Sequence, residues 1–507
     1  MPRPVPCHSI RSSNPKRHSV NDLERDEQVC AARLRTVRCE FGQYWPLRPL
    51  PTSFAPLRLN STAMSQPKRE AAPGFVRSIG RWAMTGLVIN CIIGSGIFGL
   101  PGELNRLVQR ASPIAMIAAG LLMFTIMAPA AEVASQFSEA GGAYLYARRC
   151  FGRFVGLQIG WFSLLSSIGA AAAIANLFVV YLAGELPSAA HGLPRALVLL
   201  GFVGVPAAIN YYGVSKGATL SSILVVAKIL PLAIIIVLGL ARFSSNLQMI
   251  HPSEVLAPGW GNWLNALLLL MFAYQGFEYA IIPCGEVENP RRTLPFSLAA
   301  GLLVVIAVYS LLQFVTVATI GISTSTRPVA ETASRLIGTA GGILTTLAVL
   351  ISTGGANSGL TLDTPRLMFS LATEGEFPSI LARLHPRFHT PGPAIVAFAV
   401  LVWLLAESGG FLWLAAVTAT ASMVMYISIC AALIQLRRSH PEADAMRMPF
   451  GRTLSVIGIV ISIVLITRLQ LSQALLMLVT VLFGAVNWWI ARAGRHHLSL
   501  EHVQPPA

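Results

Sequence analysis

The sequence predicts an all-α integral membrane protein of twelve transmembrane helices, built as a five-plus-five inverted repeat with two helices added. Three observations carry that prediction. The 507 residues are 54% hydrophobic and only 12% charged, where a soluble chain carries about 25% charged residues. Runs of apolar residues such as "SPIAMIAAGLLMFTIMAPAA" from Ser112 recur along the chain, each long enough to cross a hydrocarbon core of about 30 Å. Two of the runs are interrupted in their middles, five helices apart.

The predicted spans are, in order, 82–101, 112–134, 154–184, 194–210, 217–241, 262–283, 293–321, 337–371, 392–407, 410–436, 453–468 and 470–491. Residues 77–241 form the first repeat (helices 1–5), 242–436 the second (helices 6–10) and 437–492 helices 11 and 12, with 493–507 as a C-terminal tail. Residues 1–76 are expected to be a disordered basic tail. "MSQPKRE" from Met64 offers an alternative start, which would make residues 1–63 a start-site artefact. The tail lacks the apolar region of a signal peptide, and "NDLERDEQ" is too acidic for a transit peptide.

Orientation follows from basic residues. With the N-terminus inside, the inner loops carry thirteen Arg and Lys and the outer loops seven. Both termini are then cytoplasmic, in a cell (plasma or inner) membrane. This topology also accounts for much of the net charge of +15, so no nucleic-acid partner is inferred. The seven cysteines include no CxxC pair, and neither a metal site nor a disulfide framework is expected. The sequence assigns no oligomeric state.

The first interruption, "IIGSGIF" (Ile92 to Phe98), lies within a GxGxxG pattern. A dinucleotide loop needs a soluble βαβ unit and an acid about 20 residues on. Neither is present, so no cofactor is inferred. The second interruption is "MFAYQGFE" (Met271 to Glu278). Irregular backbone inside a bilayer must line a cavity, and paired interruptions in successive repeats point to a midplane substrate site. The N–H groups at Ser95, Gly96 and Ile97 carry the positive helix end and suit a carboxylate. The carbonyls at Phe272, Ala273 and Tyr274 carry the negative end and suit an ammonium group. Together they describe a receptor for an α-amino acid.

The same residues carry a family resemblance. "IIGSGIFGLPG", "FSEAGGAYLYARRCFGRFVGLQIGW" (Phe137 to Trp161), "FAYQGFE" and "GEVENPRRTLP" (Gly285 to Pro295) resemble, in order, motifs of amino acid–polyamine–organocation (APC) superfamily transporters. The resemblance implies that superfamily's LeuT-like fold, with discontinuous helices 1 and 6, and transport of amino acids or related amines. By position, Ile93, Gly94, Ser95 and Gly96 would hold the substrate carboxylate. Phe272, Ala273 and Tyr274 would face its amine, with Phe272 as an aromatic gate. Gln275 departs from the apolar or aromatic residue common there and leaves side-chain preference open. Pro365 and Glu374 depart from the usual pattern at the inner end of helix 8.

Lys228 falls near the centre of helix 5, where a lysine costs about 2.5–3.5 kcal/mol on insertion scales. The resemblance implies the lysine of Na⁺-independent, proton-coupled members, here bridging helix 1 near Ile92 to helix 8 near Ser352 and Thr353. A permanently charged strut is the alternative. Glu278 is either a proton carrier or an acceptor for donors freed by the break. Asn176 and Gln313 are expected to bond between helices, and Glu132 to anchor the cytoplasmic face. "RPVAETASRLIG" (Arg327 to Gly338) is expected to be a short outer helix, the inverted counterpart of "EAGGAYLYARRCFG" (Glu139 to Gly152).

The expected activity is secondary active transport by alternating access. The partners are an amino acid substrate, a proton or counter-substrate, and the lipid bilayer. An exchanger is the alternative within the class; a membrane enzyme would need clustered polar groups that the spans lack, and a channel is the third reading. No acid is obviously poised for a guanidinium or second amine, which favours neutral substrates.

Overall fold

The computed structural model describes residues 79–137, 142–213, 217–243, 258–281, 287–323, 325–439 and 446–501, with side chains of α8 (below) described from Lys228 on. The expected tail 1–76, the last residues 502–507, Gly141 and Lys216 lie outside them.

The first predicted span comprises three pieces: α1 (Arg81–Ile92), α2 (Gly96–Gly99) and α3 (Pro101–Val108). The long α4 (Ser112–Ala134), the short α5 (Gly142–Phe151), α6 (Arg153–Glu185), α7 (Gly192–Tyr212) and α8 (Gly217–Phe243) follow. The sixth span is likewise divided, into α9 (Trp260–Tyr274) and α10 (Phe277–Ile281). Then come α11 (Pro290–Ile320), a second ten-residue helix α12 (Pro328–Ile337), and α13 (Thr339–Thr373). The last four are α14 (Gly392–Ser408), α15 (Phe411–Ser439), α16 (Gly451–Ile466) and α17 (Leu471–Glu501). Each predicted span coincides with one of these helices or divided helices. The fit is loosest at the end, where helix continues ten residues past 491, through a stretch free of proline.

Among the described residues, eight helical stretches are long and apolar enough to cross a membrane, with Pro101–Ala134 taken as one. That is fewer than the twelve expected. The division of the first span leaves no long uninterrupted piece there, and Gly392–Ser408 and Gly451–Ile466 are shorter apolar helices. The helices facing outward are apolar on that face: Leu303 on α11, Val237 on α8 and Phe483 on α17 are each more than 60% exposed. Such a surface suits lipid, not water. The core lies around α6 and α15, whose apolar windows are 78% buried against 17% for Leu471–Ala491.

Small residues make that centre compact. Gly169 on α6 packs against Thr418 of α15, where a Cβ would lie 2.6 Å from Thr418 Oγ1. In lipid, close approach of this kind replaces hydrophobic driving force. Asn176 reaches from α6 to the Ala406 carbonyl of α14 at 3.0 Å. Gln313 of α11 donates to Asn105 of α3 and Ser112 of α4, both at 2.8 Å. Both residues therefore join helices, as expected.

Polar anchors cluster where helices end. Glu132 of α4 accepts two bonds from Arg437 at 2.7 and 2.6 Å, and one from the Met448 N–H at 2.8 Å. Near the same end, Glu374 pairs with Arg148 and accepts from Tyr144 at 3.0 Å, while Glu376 pairs with Arg153. Burial holds the Tyr144 hydroxyl above the usual phenol range, so it stays a neutral donor to Glu374. The departures at the end of α13 thus have a structural use. α13 runs unbroken through Pro365, and Glu374 supplies a tie to α5.

Candidate functional site

The two breaks lie side by side. α1 stops at Ile92, and Ile93 turns to an extended conformation (φ −72°, ψ 90°) before α2 restarts at Gly96. A Cβ at Gly96 would lie 2.6 Å from the Ala273 Cα, so glycine is what lets the breaks touch. The N–H groups of Ser95, Gly96 and Ile97 find no acceptor among the described residues. That leaves a positively polarised helix end uncapped.

In the second break Gln275 is extended (ψ 170°) and Gly276 takes φ 110°. A side chain there would be strained, and its Cβ would collide with the Cys91 carbonyl of α1. The freed Gly276 N–H is satisfied by the Glu278 carboxylate at 2.9 Å, which Tyr426 also meets at 3.3 Å. This is the acceptor geometry expected of Glu278 in its structural alternative. The Phe272 and Tyr274 carbonyls at the end of α9 have no backbone partner among the described residues. Tyr309 of α11 ties the breaks together: its hydroxyl lies 3.1 Å from the Ile92 carbonyl and 3.2 Å from that of Ala273.

A cavity of about 530 Å³ opens at this junction. Of the sequence-predicted residues, Gly94, Ser95, Gly96, Phe272, Ala273, Gln275 and Lys228 line it. Ile93, Ile97, Tyr274 and Glu278 do not. Ile93 and Ile97 are fully buried, and Tyr274 turns away to donate to the Met116 carbonyl at 2.8 Å. Neighbouring residues divide between cavity and core in this way because helical side chains one residue apart point to different faces.

The Gln275 amide oxygen accepts from Ser422 at 3.0 Å, and Ser422 meets Ser166 at 2.7 Å. The side chain is therefore positioned by α15 and α6. Phe272 stands edge-on to Phe411, centroids 5.9 Å apart. Beyond that pair the molecule is packed, with Tyr181 donating to the Phe98 carbonyl at 2.9 Å. In the other direction the cavity follows α1 back to Leu87 and α13 on to Asp363.

Lys228 is 4% exposed, and its ammonium donates to Asn90 Oδ1 and the Ile93 carbonyl, each at 3.2 Å. It braces the first break as expected. The expected bridge to helix 8 is not formed. Thr353 donates to carbonyls of its own helix, and the Ser352 hydroxyl has no partner among the described residues. The ammonium is instead turned towards α1, whose broken end exposes the better acceptor, a carbonyl without a helical partner.

Sequence reasoning missed Tyr309, Asn90 and Asp363. Tyr309 carries no signal within an apolar helix. Asp363 does: it is an ionisable residue inside a span, and the structure places it in the cavity wall. The sequence reading names no acid at this place. Among the described residues no group of three or more His, Cys, Asp or Glu could hold a metal ion.

A family profile described as "Amino acid permease" matches residues 79–493. The chain belongs to the amino acid permease family. The match takes in both breaks and the cavity between them. Similar proteins include the serine/threonine exchanger SteT of Bacillus subtilis, 26% identical over 76% of this chain and 89% of the relative. The branched-chain amino acid permease BcaP of the same organism is 28% identical over 82% and 92%. A methylthioribose transporter, also from Bacillus subtilis, is 25% identical over 76% and 86%. These relatives are named transporters and permeases, not enzymes, and the chain is read accordingly as a multi-pass membrane transporter.

Proposed function

We propose that this permease moves amino acids across a cell membrane by alternating access, holding the substrate between the two breaks. The carrying observation is the pairing, across one cavity, of bare N–H groups at Ser95 and Gly96 with the bare carbonyl at Phe272, the neighbouring Ile97 N–H and Tyr274 carbonyl being likewise without a backbone partner among the described residues. The first set stabilises a carboxylate and the second an ammonium group, each helix end acting as about half an elementary charge. Ile93 and Gly94 complete the carboxylate side, Ala273 the amine side, and Gln275 reads the substrate side chain. Phe272, backed by Phe411, is the gate on the closed side.

The reading extends to twelve spans in a five-plus-five inverted repeat, residues 77–241 and 242–436, with both termini cytoplasmic. It is supported by the matched breaks and by the ten-residue helices α5 and α12, which follow the second helix of each repeat. On this topology the cavity extends towards the cytoplasm. Transport is Na⁺-independent and driven by protons, with Lys228 bracing or releasing the first break as the site turns over. Exchange of one amino acid for another is the alternative, favoured by the name of one relative, a serine/threonine exchanger.

Reconstitution into proteoliposomes tests this. A panel of labelled amino acids, with and without an inward proton gradient, is expected to show saturable accumulation that the gradient drives. Efflux that requires external substrate would establish exchange instead. Lys228→Ala is expected to abolish gradient-driven uptake; uptake that persists with unchanged pH dependence overturns the coupling role.

A further inference from the structure

We propose that Asp363 is a specificity-determining residue that receives a cationic group on the substrate side chain, an ammonium or guanidinium. The inference rests on the transport reading above and narrows its substrate class.

Asp363 lies on α13, in the wall of the cavity that holds both breaks. Among the described residues it makes no hydrogen bond and no salt bridge. Arg366, one turn further on and exposed, acts on its charge from a distance without forming a salt bridge. Lys228, the other charged side chain lining the cavity, is already engaged by Asn90 and the Ile93 carbonyl. Facing Asp363 are neutral groups, Cys91 of α1 and Tyr279 of α10, both within reach of its charge. An ionisable residue inside a membrane span is costly, and such residues mark substrate or ion pathways.

The rest of the cavity already balances a zwitterion. Helix-end N–H groups meet its carboxylate and helix-end carbonyls its ammonium. Asp363 adds a carboxylate acceptor that a neutral amino acid leaves without a direct partner, and Lys228, the cation in the same wall, is turned to Asn90 and the Ile93 carbonyl instead. A basic side chain matches it. There is room for one: Gly355 and Asp363 both line the cavity, and eight residues of helix span about 12 Å. That is longer than the amino acid backbone alone requires.

The test uses the full-length protein in proteoliposomes, with labelled arginine and lysine measured against labelled serine and leucine. Wild type is expected to take up a basic amino acid. Asp363→Asn is expected to lower the ratio of basic to neutral uptake at least tenfold, and Asp363→Glu to restore part of it. Size-exclusion profiles of both variants control for folding, and Asp363→Glu serves as the second probe should Asp363→Asn not fold.

Wild type that transports neutral amino acids but neither takes up nor is inhibited by arginine or lysine overturns the inference and leaves the transport reading standing. An unchanged ratio in Asp363→Asn also overturns it. So does loss of proton-driven accumulation of neutral substrates at an unchanged ratio, which makes the carboxylate a proton carrier. Wild type that transports no amino acid at all overturns both readings.

Discussion

The two breaks solve the same problem differently. In the first, between α1 and α2, three residues leave the helix and the N–H groups of Ser95, Gly96 and Ile97 have no acceptor among the described residues. In the second, between α9 and α10, two residues leave the helix and the freed Gly276 N–H is capped by Glu278. One break keeps its donors bare and the other keeps its acceptors bare. On the proposed reading, complementarity to a zwitterion follows from which half of each break the chain itself satisfies.

The glycines differ in the same way. Gly276 sits at φ 110° against the Cys91 carbonyl, so its constraint is internal to the protein. A methyl group on Gly94 would have ordinary van der Waals room, its nearest neighbour being the Ile92 carbonyl oxygen at 3.9 Å. Gly94 lines the cavity, where on the proposed reading a methyl group would meet substrate.

The largest effect is expected from Gly276→Ala. Left-handed strain costs of the order of 1–3 kcal/mol, and the collision with α1 adds to it by prising the breaks apart. Uptake should fall to background, with a lowered melting temperature; wild-type uptake would show that the breaks need not touch. Next comes Glu278→Ala, which strands the Gly276 N–H at a cost of about 1–3 kcal/mol. Glu278→Gln keeps an acceptor oxygen and should melt close to wild type. Loss of pH-dependent uptake in Glu278→Gln at an unchanged melting temperature would instead make Glu278 the proton carrier.

Tyr309→Phe removes the hydroxyl shared by the Ile92 and Ala273 carbonyls. It is expected to cost about 1 kcal/mol in stability, read by thermal melting, with weaker substrate binding because the breaks lose their common tether. The smallest structural effect belongs to Gly94→Ala. The variant should fold and melt as wild type while its apparent substrate affinity drops several-fold, measured by competition uptake. A melting temperature reduced as far as that of Gly276→Ala would erase the contrast between the two sites.

The breaks were legible in the sequence because matched interruptions with glycine inside apolar spans have few physical explanations. Backbone in lipid must be hydrogen-bonded or line a cavity, so "IIGSGIF" and "AYQGFE" pointed to a site before any fold was known. Side-chain direction was not legible to the same degree. Ile97 and Tyr274 share the breaks with Ser95 and Phe272 yet face the core, since register around a broken helix depends on where it restarts.

Composition and hydropathy therefore determined, by themselves, that the chain is helical, membrane-spanning and interrupted twice, because the cost of exposing polar backbone to lipid is local and sums along the chain. What faces what was decided only in three dimensions. The hydrogen bonds of Lys228, the tether at Tyr309 and the presence of Asp363 in the cavity join helices far apart in the chain. No local pattern encodes such meetings; packing between helices sets them.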